Sequence, residues 1–289
     1  MKIKEMFQQK TVFSFEVFPP KKTSNIETVY KTLDELKGLT PDFISVTFSA
    51  GGSGNSALAF DVVSKVKEGN KVEPMLHLPC INYSKTEIDG ILEECKKRGI
   101  DNILALRGDI NPDIPPKNDF RYASELVSYI KERGDFDIAG ACYPEVHSDS
   151  ANMVEDILNL KKKVDAGADH LITQLFFDND AFYNFREKTQ IAGIHVPIEA
   201  GIMPVTNKSQ IERMVTMCGA SLPAKFAKIM QKYEHNPEAL RDAGIAYAID
   251  QIVDLISNGV DGIHLYTMNN PYIARRICES IAFIRDVND

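Results

Sequence analysis

The stretch "FSFEVFPPKK", Phe13–Lys22, decides between the two folds that the rest of this 289-residue sequence allows. Its alternating bulky apolar residues predict a buried β-strand, and the pair Pro19-Pro20 ends that strand at once. A doubly wound nucleotide-binding sheet would instead carry the pattern GxGxxG after its first strand. The two prolines therefore weaken that alternative and favour a (β/α)8 barrel.

The rest of the chain repeats one order of strand, polar turn and amphipathic helix. Eight strands are predicted to begin near Val12, Phe43, Val72, Asn102, Asp137, His170, His195 and Gly262. Helical apolar stripes include Ile26, Val29, Tyr30, Leu33 and Leu36, then Ile88, Ile91, Leu92 and Cys95, and, in a helix starting near Ser150, Val154, Ile157, Leu158 and Val164. We therefore predict the α/β class and one (β/α)8 barrel domain over residues 1–289.

The helix boundaries also carry local signals. Ser84 and Glu87 have the spacing of a capping box, which predicts a helix start. Between strands 7 and 8 we expect extra helices, Lys208–Cys218 and Asn236–Ser257 with a short one between them. Asn258-Gly259 is typical of a helix C-terminal end.

Composition excludes several functions. The net charge of −8 argues against nucleic-acid and anionic-membrane partners, and no run of 18 apolar residues predicts a membrane span. The five cysteines form no CxxC pair, so neither a disulfide framework nor a zinc site is expected, and a reducing cytoplasm fits. No strand end has the HxH of barrel metallohydrolases or a Schiff-base lysine, so no metal is expected.

Polar side chains stand where the predicted strands end, the place at which barrel enzymes carry their chemistry. They are Glu16, Thr47, His77, Arg107, Gly108, Asp109, Tyr143, Glu145, His147, Gln174, Glu199, Gly201 and Tyr266. Each also has an ordinary interpretation. His77 suits a hydrogen-bonded core histidine, Thr47 and Tyr143 suit plain strand positions, Glu145 suits solvent, and Arg107 could pair with Asp109.

Glu16 is the most informative of these residues. Strand side chains alternate, so Ser14 and Glu16 share one face of the first strand, and Phe13, Phe15 and Val17 share the other. Neither face of a barrel strand accepts an unpaired carboxylate, since removing a charge from water costs several kcal/mol. The segment therefore predicts that Glu16 either finds a partner or has a raised pKa, which would make it an acid near neutral pH.

The fifth predicted helix carries a second signal. Asp156, Asn159 and Lys163 lie at i, i+3 and i+7, with Lys162 beside them. A carboxylate, an amide and ammonium groups suit ribose hydroxyls next to a phosphate, although a solvated helix face gives the same spacing. The turn Gly51–Gly54 lacks a following lysine, so it is not a Walker loop.

Eight segments in order resemble the bacterial-type methylenetetrahydrofolate reductase family. They are "SFEVFPPK", "VTFSAGG", "HLPC", "ALRGD", "YPEVH", "NLKKKVDAGADHLITQLFFD", "GIMPVTN" and "HLYTMN", from about Phe13 to about Asn269. The resemblance implies a cytoplasmic flavoprotein oxidoreductase of one-carbon metabolism and methionine biosynthesis. It would bind FAD, take electrons from a nicotinamide cofactor, and reduce 5,10-methylenetetrahydrofolate to 5-methyltetrahydrofolate. The sequence shows no dedicated basic pocket for a 2′-phosphate, which favours NADH over NADPH.

The resemblance also assigns site residues. The implied flavin contacts are Thr47, His77, Leu106, Arg107, Gly108, Asp109, Tyr122, Ala123, Ala141, Tyr143, His147, Asp156, Asn159, Lys162 and Lys163. Glu16 would be the catalytic acid and Asp109 a second catalytic carboxylate; Glu16, Gln174, Met214 and Tyr266 would contact substrate. Lys162 replaces a frequent arginine, Met214 replaces a phenylalanine of some relatives, and Asn270 replaces a basic residue.

Three functional hypotheses follow. The first is the flavin-dependent reductase; the second is a folate-binding, methyl-transferring barrel without redox chemistry; the third is a non-catalytic flavin- or partner-binding protein. The flavin residues in "ALRGD" and the fifth helix separate the first from the second. We expect no regulatory domain, and the sequence leaves a homo-oligomer open.

Overall fold

The computed structural model describes residues 1–20, 25–48, 56–110 and 115–286. Eight parallel strands close into a barrel in chain order, with β1 paired to both β2 and β8. The strands are β1 Val12–Val17, β2 Phe43–Val46, β3 Glu73–Pro79, β4 Asn102–Leu106, β5 Asp137–Cys142, β6 His170–Thr173, β7 Ile198–Ile202 and β8 Gly262–Tyr266. The predicted (β/α)8 barrel is thus confirmed.

The helices surround the barrel. They are α1 Glu27–Leu36, α2 Ser56–Ser64, α3 Lys85–Lys97, α4 Ala123–Lys131, α5 Met153–Asp165, α6 Asn179–Ile191, α7 Lys208–Cys218, α8 Ala224–Tyr233, α9 Pro237–Ser257 and α10 Pro271–Asp286. A short 3₁₀ helix, Ile3–Gln8, precedes β1, and a π-helical turn, Lys65–Asn70, extends α2. The three helices between β7 and β8 match the prediction. Among the described residues, no helix is both long and apolar enough to cross a membrane.

Local sequence signals set several of these boundaries. The Ser84 hydroxyl accepts a hydrogen bond from the Glu87 amide, and the Glu87 carboxylate accepts one from the Ser84 amide, which confirms the capping box. The α9 helix ends at Ser257 with Asn258 as its C-cap, and Gly259 follows with φ of +66°, as the sequence predicts. The β7 strand begins later than the predicted His195, because Pro197 has no N–H to donate to a sheet.

The apolar stripe predicted on α5 is partly wrong. Val154 and Leu158 are 69% and 55% exposed, whereas Ile157 and Leu160 are buried. The helix begins at Met153, after its N-cap Asn152, rather than near Ser150. Its packed stripe therefore contains Met153, Ile157, Leu160 and Val164, which is a second set of residues with helical spacing.

The two faces of β1 have different surroundings. Phe13, Phe15 and Val17 belong to the large apolar cluster between the strands and the helices. Val12 belongs to a smaller cluster inside the barrel, so the alternate residues Ser14 and Glu16 also point inward. This orientation places Glu16 on the face where barrel enzymes carry their chemistry.

The amino-terminal 3₁₀ helix closes the opposite end of the barrel. Ile3 is fully buried, and its backbone N–H donates to Asn102 Oδ1 at 3.0 Å. The backbone N–H of Lys4 donates to Asp137 Oδ2 at 2.8 Å, and its ammonium group lies 3.0 Å from Asp169 Oδ1. The first residues of the chain therefore fill the base of the barrel.

His170 lies in this base without the charge that its side chain usually gains below neutral pH. It is fully buried beside the Phe7 ring, and neither ring nitrogen has a hydrogen-bond partner within the described ranges. Burial lowers its pKa to about 3, although Asp169 opposes that effect. The carboxylate of Asp137 is 3.9 Å away, and burial raises the pKa of Asp137 to about 6. His170 is therefore neutral in the folded protein over most of the acid range.

Replacing His170 should change how stability depends on pH. Below about pH 6.5 the unfolded chain binds a proton at His170, and the folded chain does not bind one until about pH 3. Stability is therefore lost on acidification. Between pH 7 and pH 5 the parent should lose about 2 kcal/mol relative to His170→Leu. Urea unfolding at pH 7, 6 and 5 measures the difference in the free energy of unfolding. Replacement of the exposed His195 by leucine is the control. A difference between the parent and His170→Leu that stays constant over these pH values would contradict the expectation.

Candidate active site at the carboxyl ends of the strands

Glu16 stands near the carboxyl end of β1 with two histidines beside it. Its Oε2 atom lies 3.7 Å from Nε2 of His77 on β3 and 3.8 Å from Nε2 of His264 on β8. The Glu16 side chain is 20% exposed, whereas His264 is fully buried. The Nε2 atom of His77 is buried and has no hydrogen-bond partner in the part of the chain that the structure describes. The carboxylate can thus reach the open end of the barrel while the histidines hold it from beneath.

Of the two alternatives predicted for Glu16, a partner or a raised pKa, the structure shows the first. Burial raises the pKa of Glu16, but the interaction with His264 and the attraction of both histidines outweigh burial, so the pKa lies below its ordinary value of 4.5. Burial in turn lowers the pKa of His77 to about 4. The sequence could not show this, because His77 and His264 come from other strands. As it stands, the site favours an ionised Glu16 and a neutral His77 at neutral pH.

Tyr266 and Gln174 occupy neighbouring strand ends. The Tyr266 hydroxyl donates to the backbone carbonyl of Thr173 at 2.8 Å, and burial raises its pKa well above 10. Gly201 makes room for this ring, since a Cβ atom there would lie 2.9 Å from the Tyr266 hydroxyl oxygen. Gln174 is half-buried directly after β6, with its backbone N–H donating to the carbonyl of Cys142. Gln174 and Tyr266 therefore belong to the same rim.

The loop after β4 approaches the loop after β3 closely. Gly108 has φ of +89°, and a Cβ atom there would lie 2.9 Å from Cβ of Pro79, so only glycine fits without displacement. The Arg107 guanidinium donates to Asp149 Oδ2 at 2.6 Å, so the alternative pairing of Arg107 with Asp109 is wrong. Asp109 is exposed at this rim.

The residues proposed from α5 form two groups. Asp156 accepts hydrogen bonds from the His147 backbone N–H at 3.2 Å and from a serine hydroxyl, and the Lys163 ammonium donates to the carbonyl of Ala141. Burial lowers the pKa of Lys163. The other two, Asn159 and Lys162, are exposed and bond to each other at 3.0 Å. One pair thus lies against β5 and its following loop, and the other faces outward.

The remaining predicted residues lie around this rim. Leu106 ends β4, Thr47 follows β2, Tyr143 packs edge-on against the His147 ring at 4.5 Å, and Tyr122 and Ala123 begin α4. Met214 lies half-buried in α7, and Asn270 caps α10 by accepting a hydrogen bond from Ile273 N–H. The turn Gly51–Gly54 lies outside the described residues.

Two further contacts differ from the sequence expectations. The Glu145 carboxylate is half-buried and accepts the backbone N–H of Ser221 at 3.0 Å, so it links the β5–α5 loop to the segment before α8. Glu199 does not lie at a carboxyl end, since β7 begins at Ile198 and Glu199 is deep inside the barrel. There the Ser14 hydroxyl lies 2.8 Å from it and 2.6 Å from Nδ1 of His264.

Sequence reasoning missed His264, although a signal existed. It stands two residues before Tyr266 on β8, so alternation alone places it on the same inward face. Ser14 has the same relation to Glu16 on β1. The strand register pairs Ser14 with His264 directly, but the register of two strands 250 residues apart cannot be read locally.

The fold and the site define a (β/α)8-barrel enzyme with an acid between two histidines at the catalytic end. The family model for methylenetetrahydrofolate reductase matches residues 2–282. The chain is 38% identical to 5,10-methylenetetrahydrofolate reductase of Pectobacterium carotovorum, with 95% of this chain and 91% of that protein covered. For the Escherichia coli protein of the same name the identity is 37%, with coverage of 93% and 90%. This chain belongs to the methylenetetrahydrofolate reductase family.

Two further similarities extend the comparison. Methylenetetrahydrofolate reductase (NADH) 1 of Arabidopsis thaliana is 37% identical over 93% of this chain, which spans 48% of that longer protein. A solved structure from Clostridium thermocellum, described as binding two copies of 5-methyl-5,6,7,8-tetrahydrofolic acid, has a TM-score of 0.70 over 99% of both chains. At 15% identity, that likeness shows the shared fold alone.

Proposed function

We propose that this chain reduces 5,10-methylenetetrahydrofolate to 5-methyltetrahydrofolate, with bound FAD carrying electrons from NADH. The observation that carries the proposal is the inward orientation of Glu16 at the carboxyl end of β1, between His77 and His264. The names of the bacterial relatives state the same folate substrate. The name of the Arabidopsis relative supports NADH as the electron donor.

Several features at the rim fit a flavin. The buried Nε2 of His77 has no partner in the described residues and can bond a ligand atom. Arg107 and Lys162 supply positive charge suited to a diphosphate, and exposed Tyr122 offers an aromatic surface.

With FAD bound, the residues at the rim would each have a separate role in folate reduction. When bound, FAD supplies the hydride that reduces the one-carbon unit. Glu16 protonates the departing amine nitrogen of the folate ring, so that the ring opens to an electrophilic iminium. Gln174 offers an amide donor and acceptor to the substrate, and Asp109 lies exposed at the rim to accept a pterin hydrogen bond. The five cysteines are free thiols, which suits the reducing cytoplasm in which we place the protein.

The purified protein tests this function directly. It should be yellow, NADH should bleach the flavin absorbance without oxygen, and methylenetetrahydrofolate should restore the absorbance with formation of methyltetrahydrofolate. A colourless protein that takes up no FAD on reconstitution would refute flavin use. If the colourless protein still bound methyltetrahydrofolate, the methyl-transferring alternative would replace the reductase.

A further inference from the structure

A line of buried polar side chains runs through the barrel from Glu199 to Glu16. The Glu199 Oε1 atom lies 2.8 Å from the Ser14 hydroxyl oxygen, and that oxygen lies 2.6 Å from Nδ1 of His264. The opposite ring nitrogen of His264, Nε2, lies 3.4 Å from the Ser45 hydroxyl oxygen and 3.8 Å from Oε2 of Glu16. Ser14, His264 and Glu199 are all fully buried, so this line lies beneath the open rim. It connects the candidate acid to a second carboxyl group.

The surroundings of Glu199 favour its protonated form. Burial raises its pKa well above 4.5, and the charges of Asp42 and Asp261 add to the effect, while the hydrogen bond with Ser14 opposes it. Its other oxygen, Oε2, is buried and unpartnered within the ranges the structure describes. Gly262 provides the space for this side chain, because a Cβ atom there would lie 2.7 Å from Cγ of Glu199. The barrel thus encloses a proton that the reaction steps above do not use.

The hydrogen bonds along this line can run in either direction. With the proton on Glu199, that acid donates to Ser14, Ser14 donates to His264 Nδ1, and His264 Nε2–H points toward ionised Glu16. With the proton on Glu16, each bond reverses, and His264 Nδ1–H donates to Ser14, which donates to the Glu199 carboxylate. The change from the first state to the second transfers one proton in total from Glu199 to Glu16, although each proton moves across only one contact of the line.

We propose that Glu199 is the proton store for Glu16 and that Ser14 and His264 relay the proton between them. The proposal rests on the folate reduction proposed above. In each turnover the Glu199 O–H bond breaks and a Glu16 O–H bond forms; Glu16 then gives this proton to the amine nitrogen as the ring C–N bond breaks. After product leaves, Glu16 takes a proton from water and the relay returns it to Glu199. Protons and charge therefore balance over the cycle.

Substrate binding supplies the driving force for the transfer. Without substrate, His77, His264 and the remaining exposure of Glu16 favour the ionised carboxylate. A folate that covers Glu16 removes its contact with water, which raises its pKa toward that of Glu199. The gap of 3.8 Å between Glu16 and His264 must also close by about 1 Å to reach hydrogen-bond length. Tyr266, the other titratable group facing Glu16, remains neutral.

Glu199→Gln tests the store, because glutamine keeps the shape and both hydrogen-bonding directions but cannot release a proton. The folate half-reaction should slow by about tenfold at pH 8 and approach the parent rate at pH 6, where water supplies Glu16 more readily. Reduction by NADH should be unchanged. Ser14→Ala, which breaks the relay, should give the same pH pattern, and the exposed Glu187→Gln should behave as the parent. Stopped-flow absorbance of the flavin measures each half-reaction separately.

Infrared spectroscopy of the purified protein gives a readout independent of turnover. A neutral carboxyl band should persist at pH 8 in the parent, in Ser14→Ala and in Glu187→Gln, and should be absent from Glu199→Gln. A band that persists in Glu199→Gln, or a loss of folate rate that is equal at pH 6 and pH 8, would overturn the relay while leaving the reductase intact. A parent protein that never reduces folate refutes the proposed function, and with it the relay, before any variant is compared.

Discussion

Glu16→Gln should retain flavin and accept electrons from NADH, yet reduce methylenetetrahydrofolate about 10² to 10⁴ times more slowly than the parent. Glutamine occupies the same volume at the end of β1 but has no acidic proton. It cannot protonate the departing amine nitrogen, so ring opening becomes slow while the chemistry with NADH is unaffected. The selectivity of the loss matters more than its size, since a distorted site would impair both half-reactions.

Two measurements check this result. Anaerobic stopped-flow mixing with NADH gives the rate of flavin bleaching, and mixing the reduced protein with methylenetetrahydrofolate gives the rate of reoxidation. Glu145→Gln is a useful control, because Glu145 is also a half-buried carboxylate of the carboxyl-end loops but bonds only the Ser221 backbone among its described contacts. If reoxidation of Glu16→Gln were as fast as that of the parent, another group would have to be the acid.

Gly244→Ala should destabilise the protein more than the addition of a methyl group anywhere else in α9. A Cβ atom at Gly244 would lie 1.7 Å from the backbone carbonyl oxygen of Val205 and 2.8 Å from its carbonyl carbon. Backbone cannot rotate away as a flexible side chain can, so α9 or the loop after β7 must shift. We expect a loss of about 3 kcal/mol in the free energy of unfolding, at the upper end for overpacked sites.

Urea unfolding of Gly244→Ala and Gly90→Ala makes the comparison. Gly90 is exposed in the interior of α3, and no atom lies within 4 Å of the position that a Cβ would take there, so alanine should stabilise by about 0.5 to 1 kcal/mol. Equal unfolding midpoints for Gly244→Ala and the parent would show that the loop after β7 yields without cost. The α7–α9 segment also carries Met214, so a shifted α9 should weaken folate binding in the same variant.

The sequence predicted the barrel because its signals are local. The first strand ends before residues that cannot extend it, Pro19 and Pro20, and several helices have their own caps, as Ser84 and Asn258 show. The prediction of the packed residues of α5 was partly wrong for a related reason. Met153 with Ile157 and Val154 with Leu158 have the same spacing, and only packing against the barrel selects between them.

The site was predictable residue by residue but not in its pairings. Alternation along β1 placed Ser14 and Glu16 on one face, yet the inward direction of that face depends on barrel closure. The sequence suggests Asp109 as a nearby partner for Arg107, whereas its partner in the fold is Asp149, 42 residues away. The sequence could not decide between a partner and a raised pKa for Glu16 for the same reason, since its partners are histidines contributed by β3 and β8.

The docking of the 3₁₀ helix Ile3–Gln8 in the base of the barrel has a consequence for synthesis on the ribosome. The contacts that hold the 3₁₀ helix in the barrel base join residues 99, 133 and 165 positions apart: Ile3 to Asn102, Lys4 to Asp137, and Lys4 to Asp169. Since a chain is made from its amino end, this 3₁₀ helix leaves the ribosome before β4, β5 and the start of β6 and must wait for them before it can dock. The 3₁₀ helix thus completes its contacts only after the chain has been made as far as Asp169.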